Sequence, residues 1–225
     1  MKRTLEETRD THDDECEFNA LTSDNRSWIR TFQYSGTKVD TRAFDRLWDL
    51  HPKEHAEVIM MGKLIPVPRW QQTYGAVGYN FSGVKHDAVP IPGILSPFLM
   101  YANEVCASYL ESYGRQFNMV FLNWYENGHH YIGYHSDDEK QLLKNTAGET
   151  LVFSLTFGAK REFYIREKSK TKPLPEPTKF TLKHGSGILM GGKCQETHKH
   201  SIPAIGGKKG EKVGRRINMT FRIFK

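Results

Sequence analysis

The sequence predicts an α+β fold, a double-stranded β-helix (jelly-roll) barrel backed by N-terminal helices. Three observations carry that prediction. Two helical patterns lie before residue 117. From residue 117 onward the pattern changes to period two, in short segments separated by turn signals. The last of these segments divides cleanly: Arg216, Asn218, Thr220 and Arg222 share one face, and Ile217, Met219, Phe221 and Ile223 the other. Two helices followed by about eight strands suit a pair of packed sheets with helices against one of them.

Size and composition are consistent with such a barrel. The chain has 225 residues, 38% hydrophobic and 26% charged, enough for a sizeable core. No run approaches the roughly 18 apolar residues of a membrane helix, and MKRTLEETRD lacks the apolar segment of a secretory signal. Three cysteines at irregular spacings imply no disulfide framework. The expected setting is therefore intracellular, cytoplasmic or nuclear, without a membrane, and the chain is expected to be a monomer. Net charge is +6 but uneven: residues 1–24 hold eight acidic side chains against three basic ones, and the rest carries +11. Residues 1–24 are expected to be a disordered acidic tail, and residues 25–225 a single domain. A basic body fits a polyanionic partner.

In chain order, TRAFDRLWDLH places Phe44, Leu47 and Trp48 at helical spacing, with Asp40 or Thr41 as cap and His51-Pro52 as the stop. VIMMGKLIPVP (58–68) reads as a hairpin about Gly62, either core or a lid over a substrate. PRWQQTYGAVGYNFSG (68–83) reads as a loop-like surface with aromatics among polar groups, a place where bases can stack. Ser96-Pro97 opens a second helix expected to run to Gly114. The strands expected thereafter lie at 117–125, 151–158, 161–166, 179–185, 187–192 and 216–223, together with one delivering His135-Ser136-Asp137.

The chemistry concentrates in FNMVFLNWYENGHHYIGYHSDDE (117–139). On an extended strand His135 and Asp137 sit side by side. One imidazole and one carboxylate, joined by a remote His, is the ligand set that leaves Fe(II) with open positions for oxygen chemistry. Asn123 and Tyr125 end an otherwise apolar row and suit the floor of a pocket. The remote ligand is His198 or His200, which share strand parity; Cys194, His198 and His200 form a competing zinc set that lacks a second thiolate. Arg216 and Arg222, aimed into a barrel, require acidic partners, and a small dicarboxylate satisfies both.

The order HxD, distal His, RxNxTFR resembles the AlkB family of Fe(II)- and 2-oxoglutarate-dependent dioxygenases, in the branch that repairs alkylated nucleic acid bases. The matching stretches are PRWQQTYG (68–75), YNFSG (79–83), NWYENG (123–128), HSDDE (135–139), SLTFGAKREF (154–163), HGSGILM (184–190), HKHSIP (198–203) and RRINMTFR (215–222). The resemblance implies iron ligands His135, Asp137 and His200, the last chosen over His198 by the apolar-proline turn that follows it. It implies that Arg216 and Tyr125 hold the distal carboxylate of 2-oxoglutarate, and that Asn123 and Arg222 steady its metal-binding end. Asp138 is expected to contact the base, Tyr74 and the edge of His135 to line its slot, and Arg69 to bind substrate.

The implied cofactor is Fe(II), with 2-oxoglutarate and O2 as co-substrates. The implied partner is alkylated DNA or RNA, single-stranded or with the base flipped. Residues of about 55–85 would form a nucleotide-recognition lid, and Lys and Arg in the 160–172 and 208–215 loops would meet phosphates. Ala76 and Trp70 depart from the family pattern, which leaves the strand preference open. The competing readings are a dioxygenase acting on a protein side chain and a non-catalytic nucleic-acid-binding module.

Overall fold

The computed structural model describes residues 17–81 and 84–225. Three layers stack: helices, a large sheet, and a small sheet. The large sheet contains β1 (Glu17–Ala20), β2 (Ser27–Gln33), β5 (Trp70–Gly75), β8 (Ala88–Val89), β9 (Met119–Tyr125), β11 (Val152–Gly158), β14 (Ser186–Gly192) and β16 (Arg216–Arg222), in the order β1-β2-β14-β11-β16-β9-β5-β8. The small sheet contains β10 (Ile132–His135), β12 (Arg161–Glu167), β13 (Thr178–Leu182) and β15 (His198–Ile202), in the order β10-β15-β12-β13. Two hairpins stand apart, β3 (Glu57–Met60) with β4 (Lys63–Pro66), and β6 (Tyr79–Phe81) with β7 (Val84–His86).

Strand alternation assigns each side chain to a layer. The outward residues of the large sheet are apolar: Val120, Leu122 and Trp124 of β9, Phe153, Leu155 and Phe157 of β11, and Ile217, Met219 and Phe221 of β16. They pack under α1 (Thr41–Trp48), α2 (Ser96–Val105) and α3 (Ala107–Leu110), which contribute Phe44, Leu47, Trp48, Phe98, Ala102 and Leu110. Trp124 Nε1 donates to the Leu47 carbonyl at 3.0 Å, fastening α1 to β9. Between the sheets a second cluster joins Met119, Phe121, Tyr125, Val152, Ile188 and Met190 to Phe163, Ile165 and Ile202 of the small sheet.

Several expectations are corrected. Of the acidic tail, residues 1–16 lie outside the described residues, but Glu17–Ala20 form β1 and pair with β2. Two strands therefore precede the first helix. Asp40 is the α1 cap, accepting from Ala43 N at 2.9 Å. The second helix is broken: α2 ends at Val105, α3 follows, and Gly114 closes the segment in the left-handed region. Ser96 is its first helical residue rather than its cap, and no side chain caps that end. Most of 68–75 is strand, because Trp70, Gln72 and Tyr74 alternate with Gln71 and Thr73 between a core face and an inner face. The hairpin about Gly62 is present; Met61 and Gly62 both take positive φ, 51° and 75°, as a two-residue hairpin turn requires.

Candidate metal centre and its surroundings

The site lies between the sheets and takes its shape from register. β10 and β15 pair so that His135 and His200 are cross-strand partners, with ring centroids 4.3 Å apart. β10 ends at His135, and Asp137 lies just beyond it in an irregular segment, still on the side expected of residue i+2. The Nε2 atoms of His135 and His200 are 3.7 and 3.8 Å from the two oxygens of Asp137. Ligand atoms of the three residues all lie within 4.8 Å of one another, and among the described residues no other cluster of three or more His, Cys, Asp or Glu is so arranged. The alternative zinc set is not assembled. His198 is instead held by Thr197, Oγ1 to Nδ1 at 2.7 Å, and burial pushes the Cys194 thiol up to about 12.

Neighbouring groups orient this triad. His135 Nδ1 lies 2.9 Å from the Gly133 carbonyl, which assigns the proton to Nδ1 and leaves Nε2 as the donor atom for a metal. Phe163 stacks on His200 at 5.4 Å. Asp137 N donates to Gln195 Oε1 at 2.8 Å. Arg222 Nη2 donates to Asp137 Oδ1 at 2.6 Å, and Arg222 Nη1 lies 3.3 Å from Glu139. Burial works against the charge on Asp137, but Arg222, then His200 and His135, outweigh it and hold the carboxyl below its usual range. Burial, reinforced by His135, pushes the His200 imidazolium down to about 3 despite Asp137, so this imidazole is neutral at pH 7. An anionic carboxylate and neutral imidazoles suit a divalent ion.

The opposite wall is the inner face of the large sheet. Asn218 of β16 lies opposite Asn123 of β9 and Thr156 of β11, while Thr220 lies opposite Phe121 and Ser154. Asn218 Oδ1 accepts from Ser154, Thr156 and Arg216 at 3.0 to 3.1 Å. Arg216 is 1% exposed and lies over the ring of its cross-strand partner Tyr125 at 4.9 Å. Its Nη2 is bonded to Thr156 and Asn218, whereas Nε and Nη1 have no hydrogen-bond partner among the described residues. Burial lowers Arg216 to about 10, so it remains a cation at pH 7. A buried cation with two idle donors fits a carboxylate ligand.

The residues expected at the substrate side divide. Arg69 is buried on the inner face and donates to Asn123 Oδ1 at 2.6 Å and to Gln71 Oε1 at 2.9 Å. Tyr74 lies on the other face of β5, in the core beneath the helices, with its hydroxyl on the Leu50 carbonyl; it does not line the cavity. Asp138 is 71% exposed and lies 4.0 Å from Lys168. Its neighbour Glu139 is the acid that turns inward to Arg222, on the same parity as His135 and Asp137. Arg161, expected both to begin a strand at 161–166 and to be among the phosphate-contacting cations of 160–172, begins β12 and is buried.

Glu139, Gln195 and Gln71 are site neighbours that sequence reasoning missed; strand parity with Asp137 and with Thr73 marks Glu139 and Gln71, and no periodicity marks Gln195. Gln71 Nε2 and Thr73 Oγ1 have no partner among the described residues and line, with Glu54, His55 and Asp87, a second cavity of about 250 Å³ beside Phe121.

Comparison with known proteins adds a relationship to this geometry. A model of the 2OG-Fe(II) oxygenase superfamily matches residues 30–222. DNA oxidative demethylase ALKBH2 of Mus musculus is 34% identical over 173 residues, covering 74% of this chain and 66% of that protein. The Homo sapiens protein of the same name is 32% identical over 173 residues, 74% and 60%. Alpha-ketoglutarate-dependent dioxygenase alkB homolog 3 of Bos taurus is 31% identical over 160 residues, 69% and 51%. The match thus spans between about half and two thirds of the length of these curated relatives. The solved structure of OsALKBH1 superposes with a TM-score of 0.56 at 15% identity, over 86% of this chain and 96% of the other, a likeness of fold. Matched over most of its length, the chain belongs to the 2OG-Fe(II) oxygenase superfamily and, within it, to the AlkB family.

Proposed function

We propose that this chain removes N-alkyl groups oxidatively from nucleic acid bases of the 1-methyladenine and 3-methylcytosine type. The products would be formaldehyde and the repaired base, with O2 and 2-oxoglutarate converted to succinate and CO2. Membership of the superfamily brings Fe(II), 2-oxoglutarate and O2. The observation that carries the reading is the His135–Asp137–His200 triad facing a polar wall in which buried Arg216 keeps two idle donors. Bound at the triad, iron supplies the activation of oxygen.

The other tasks fall to the chain. Arg216, with Tyr125, would bind the distal carboxylate of 2-oxoglutarate; Asn123 lies between that wall and Arg69 and would steady the other end. Arg222 keeps Asp137 anionic and holds it in place. The idle donors of Gln71 and Thr73, and the inward carboxyl of Glu139, are the groups suited to read a base. We therefore assign base contact to Glu139 rather than to Asp138.

Residues 25–225 would form one catalytic domain, with about 55–85 as lid over the substrate. The β3–β4 hairpin supports this, since Ile59, Met61 and Leu64 are exposed at 46%, 98% and 55%. Exposed Lys208 and Lys209 on α5 (Gly207–Glu211) are suited to phosphate contacts. Among the described residues no helix is long and apolar enough to cross a membrane.

The test is incubation of methylated oligonucleotides, in paired single- and double-stranded DNA and RNA forms, with Fe(II), ascorbate and 2-oxoglutarate. Mass spectrometry should detect loss of the methyl group in at least one arm. Unchanged mass in all arms, with metal loading verified, overturns the reading. The names of the relatives, two DNA oxidative demethylases among them, favour a DNA arm.

A further inference from the structure

Arg161 is 2% exposed, yet no carboxylate faces it in an ion pair among the described residues. Its guanidinium is spent on main-chain carbonyls. Nη1 donates to Asn127 O at 3.2 Å, and Nη2 reaches Gly128 O, His130 O and Pro203 O at 3.4, 3.0 and 2.6 Å. The first three belong to the turn that leads into β10, which ends at His135. The fourth lies just past β15, which carries His200. One planar cation thus ties together the two strands whose cross-strand pairing, Ile132 with Ile202 and His135 with His200, brings the two imidazoles together.

The register of β10 is irregular between Ile132 and His135, so regular strand hydrogen bonds alone hold it loosely there. Two further bonds brace the same junction: Ile205 N to Gly128 O at 2.8 Å and Gly128 N to Gly210 O at 2.9 Å. A Cβ on Gly128 would approach the Gly210 Cα to 2.7 Å, so the turn is pressed against α5 with no space to spare. Arg161 also lies over the Tyr125 ring at 5.8 Å, on which Arg216 lies at 4.9 Å.

We infer that Arg161 is a positioning residue for the metal centre: it sets the separation of His135 and His200 by clamping the turns next to them. The inference rests on the reading of His135, Asp137 and His200 as the metal ligands. A geometric fork that satisfies four acceptors has no substitute in the single point charge of lysine. Arg161→Lys and Arg161→Gln should therefore both weaken metal binding, by about the 10- to 100-fold that removal of a group supporting metal ligands costs.

Co(II) binding, titrated by visible absorption on the full chain, reads this without turnover. Leu47→Ala, in the helix-side core on the opposite face of the large sheet from the metal site, serves as a control for destabilisation. A loss of affinity of at least tenfold in the Arg161 variants, at a temperature where all are folded and with Leu47→Ala binding as wild type, supports the inference. Lower melting temperatures with wild-type affinity make Arg161 merely structural and overturn it. Should neither variant fold, hydrogen exchange on the wild-type chain decides. By the reciprocity of linkage, Co(II) should slow exchange at the Gly128 and Ile205 amides, and unchanged exchange there overturns the clamp. A wild-type chain that binds no Co(II), or His135→Ala binding as tightly as wild type, refutes the ligand assignment instead.

Discussion

The two faces of the large sheet are made by the same strands and serve opposite ends. On β16 the outward Ile217, Met219 and Phe221 are fully buried under the helices, while the inward Arg216, Asn218, Thr220 and Arg222 are almost equally buried but polar. Burying apolar surface stabilises by about 25 cal/mol per Å². Burying a guanidinium costs several kcal/mol unless its partners are in place. The inner face recovers part of that cost through the Asn218 network and the Arg222–Asp137 pair, and leaves part unrecovered in the two idle nitrogens of Arg216. Stability is thus concentrated on one face, and ligand affinity is expected on the other.

That contrast can be broken from either side. The largest expected effect is on the inner face: His135→Ala or His200→Ala should abolish detectable turnover of 2-oxoglutarate to succinate and remove Co(II) absorption, with the fold kept by circular dichroism. Next comes the outer face. Phe153→Ala removes a ring that is fully buried between Phe32 and Phe221 and should cost about 3–5 kcal/mol. Urea unfolding checks it, and the KM for 2-oxoglutarate of the folded fraction should not move.

Arg216→Met should do the reverse. Loss of the charged partner of a buried carboxylate costs about 2–5 kcal/mol, read as a rise of at least thirtyfold in the KM for 2-oxoglutarate. Replacing an incompletely bonded buried cation with an apolar side chain should leave the unfolding midpoint unchanged or higher. If Arg216→Met instead unfolds the chain at wild-type KM, the division between faces is wrong. The smallest effect belongs to the outermost layer: Asp40→Ala loses the cap bond to Ala43 N and should lower stability by about 1 kcal/mol, seen as a small shift in melting temperature with activity intact.

Local spacing carried far in the central strands. The parity of β9 and β16 was readable because seven successive residues in each are strand. Tyr74 was expected at the base slot from the resemblance, in a stretch that reads as loop-like; as strand, its parity with Trp70 puts it in the core. Asp138 was expected from the family resemblance alone, whereas alternation continued from His135 through Asp137 turns Glu139 inward and leaves Asp138 exposed. Arg161 looked like a surface charge because its counterparts are main-chain carbonyls, which leave no trace in residue types.

By itself the sequence determined the alternating strands, the HxD pair, the Arg-bearing last strand and the family resemblance, since each depends on neighbours a few residues apart. Spacing alone left His198 and His200 equivalent and the resemblance chose His200; the fold is what sets it against Asp137 and makes Arg161 join two turns. Those outcomes follow from the register of β10 on β15 and of β15 on β12, contacts between segments more than thirty residues apart that no local periodicity encodes.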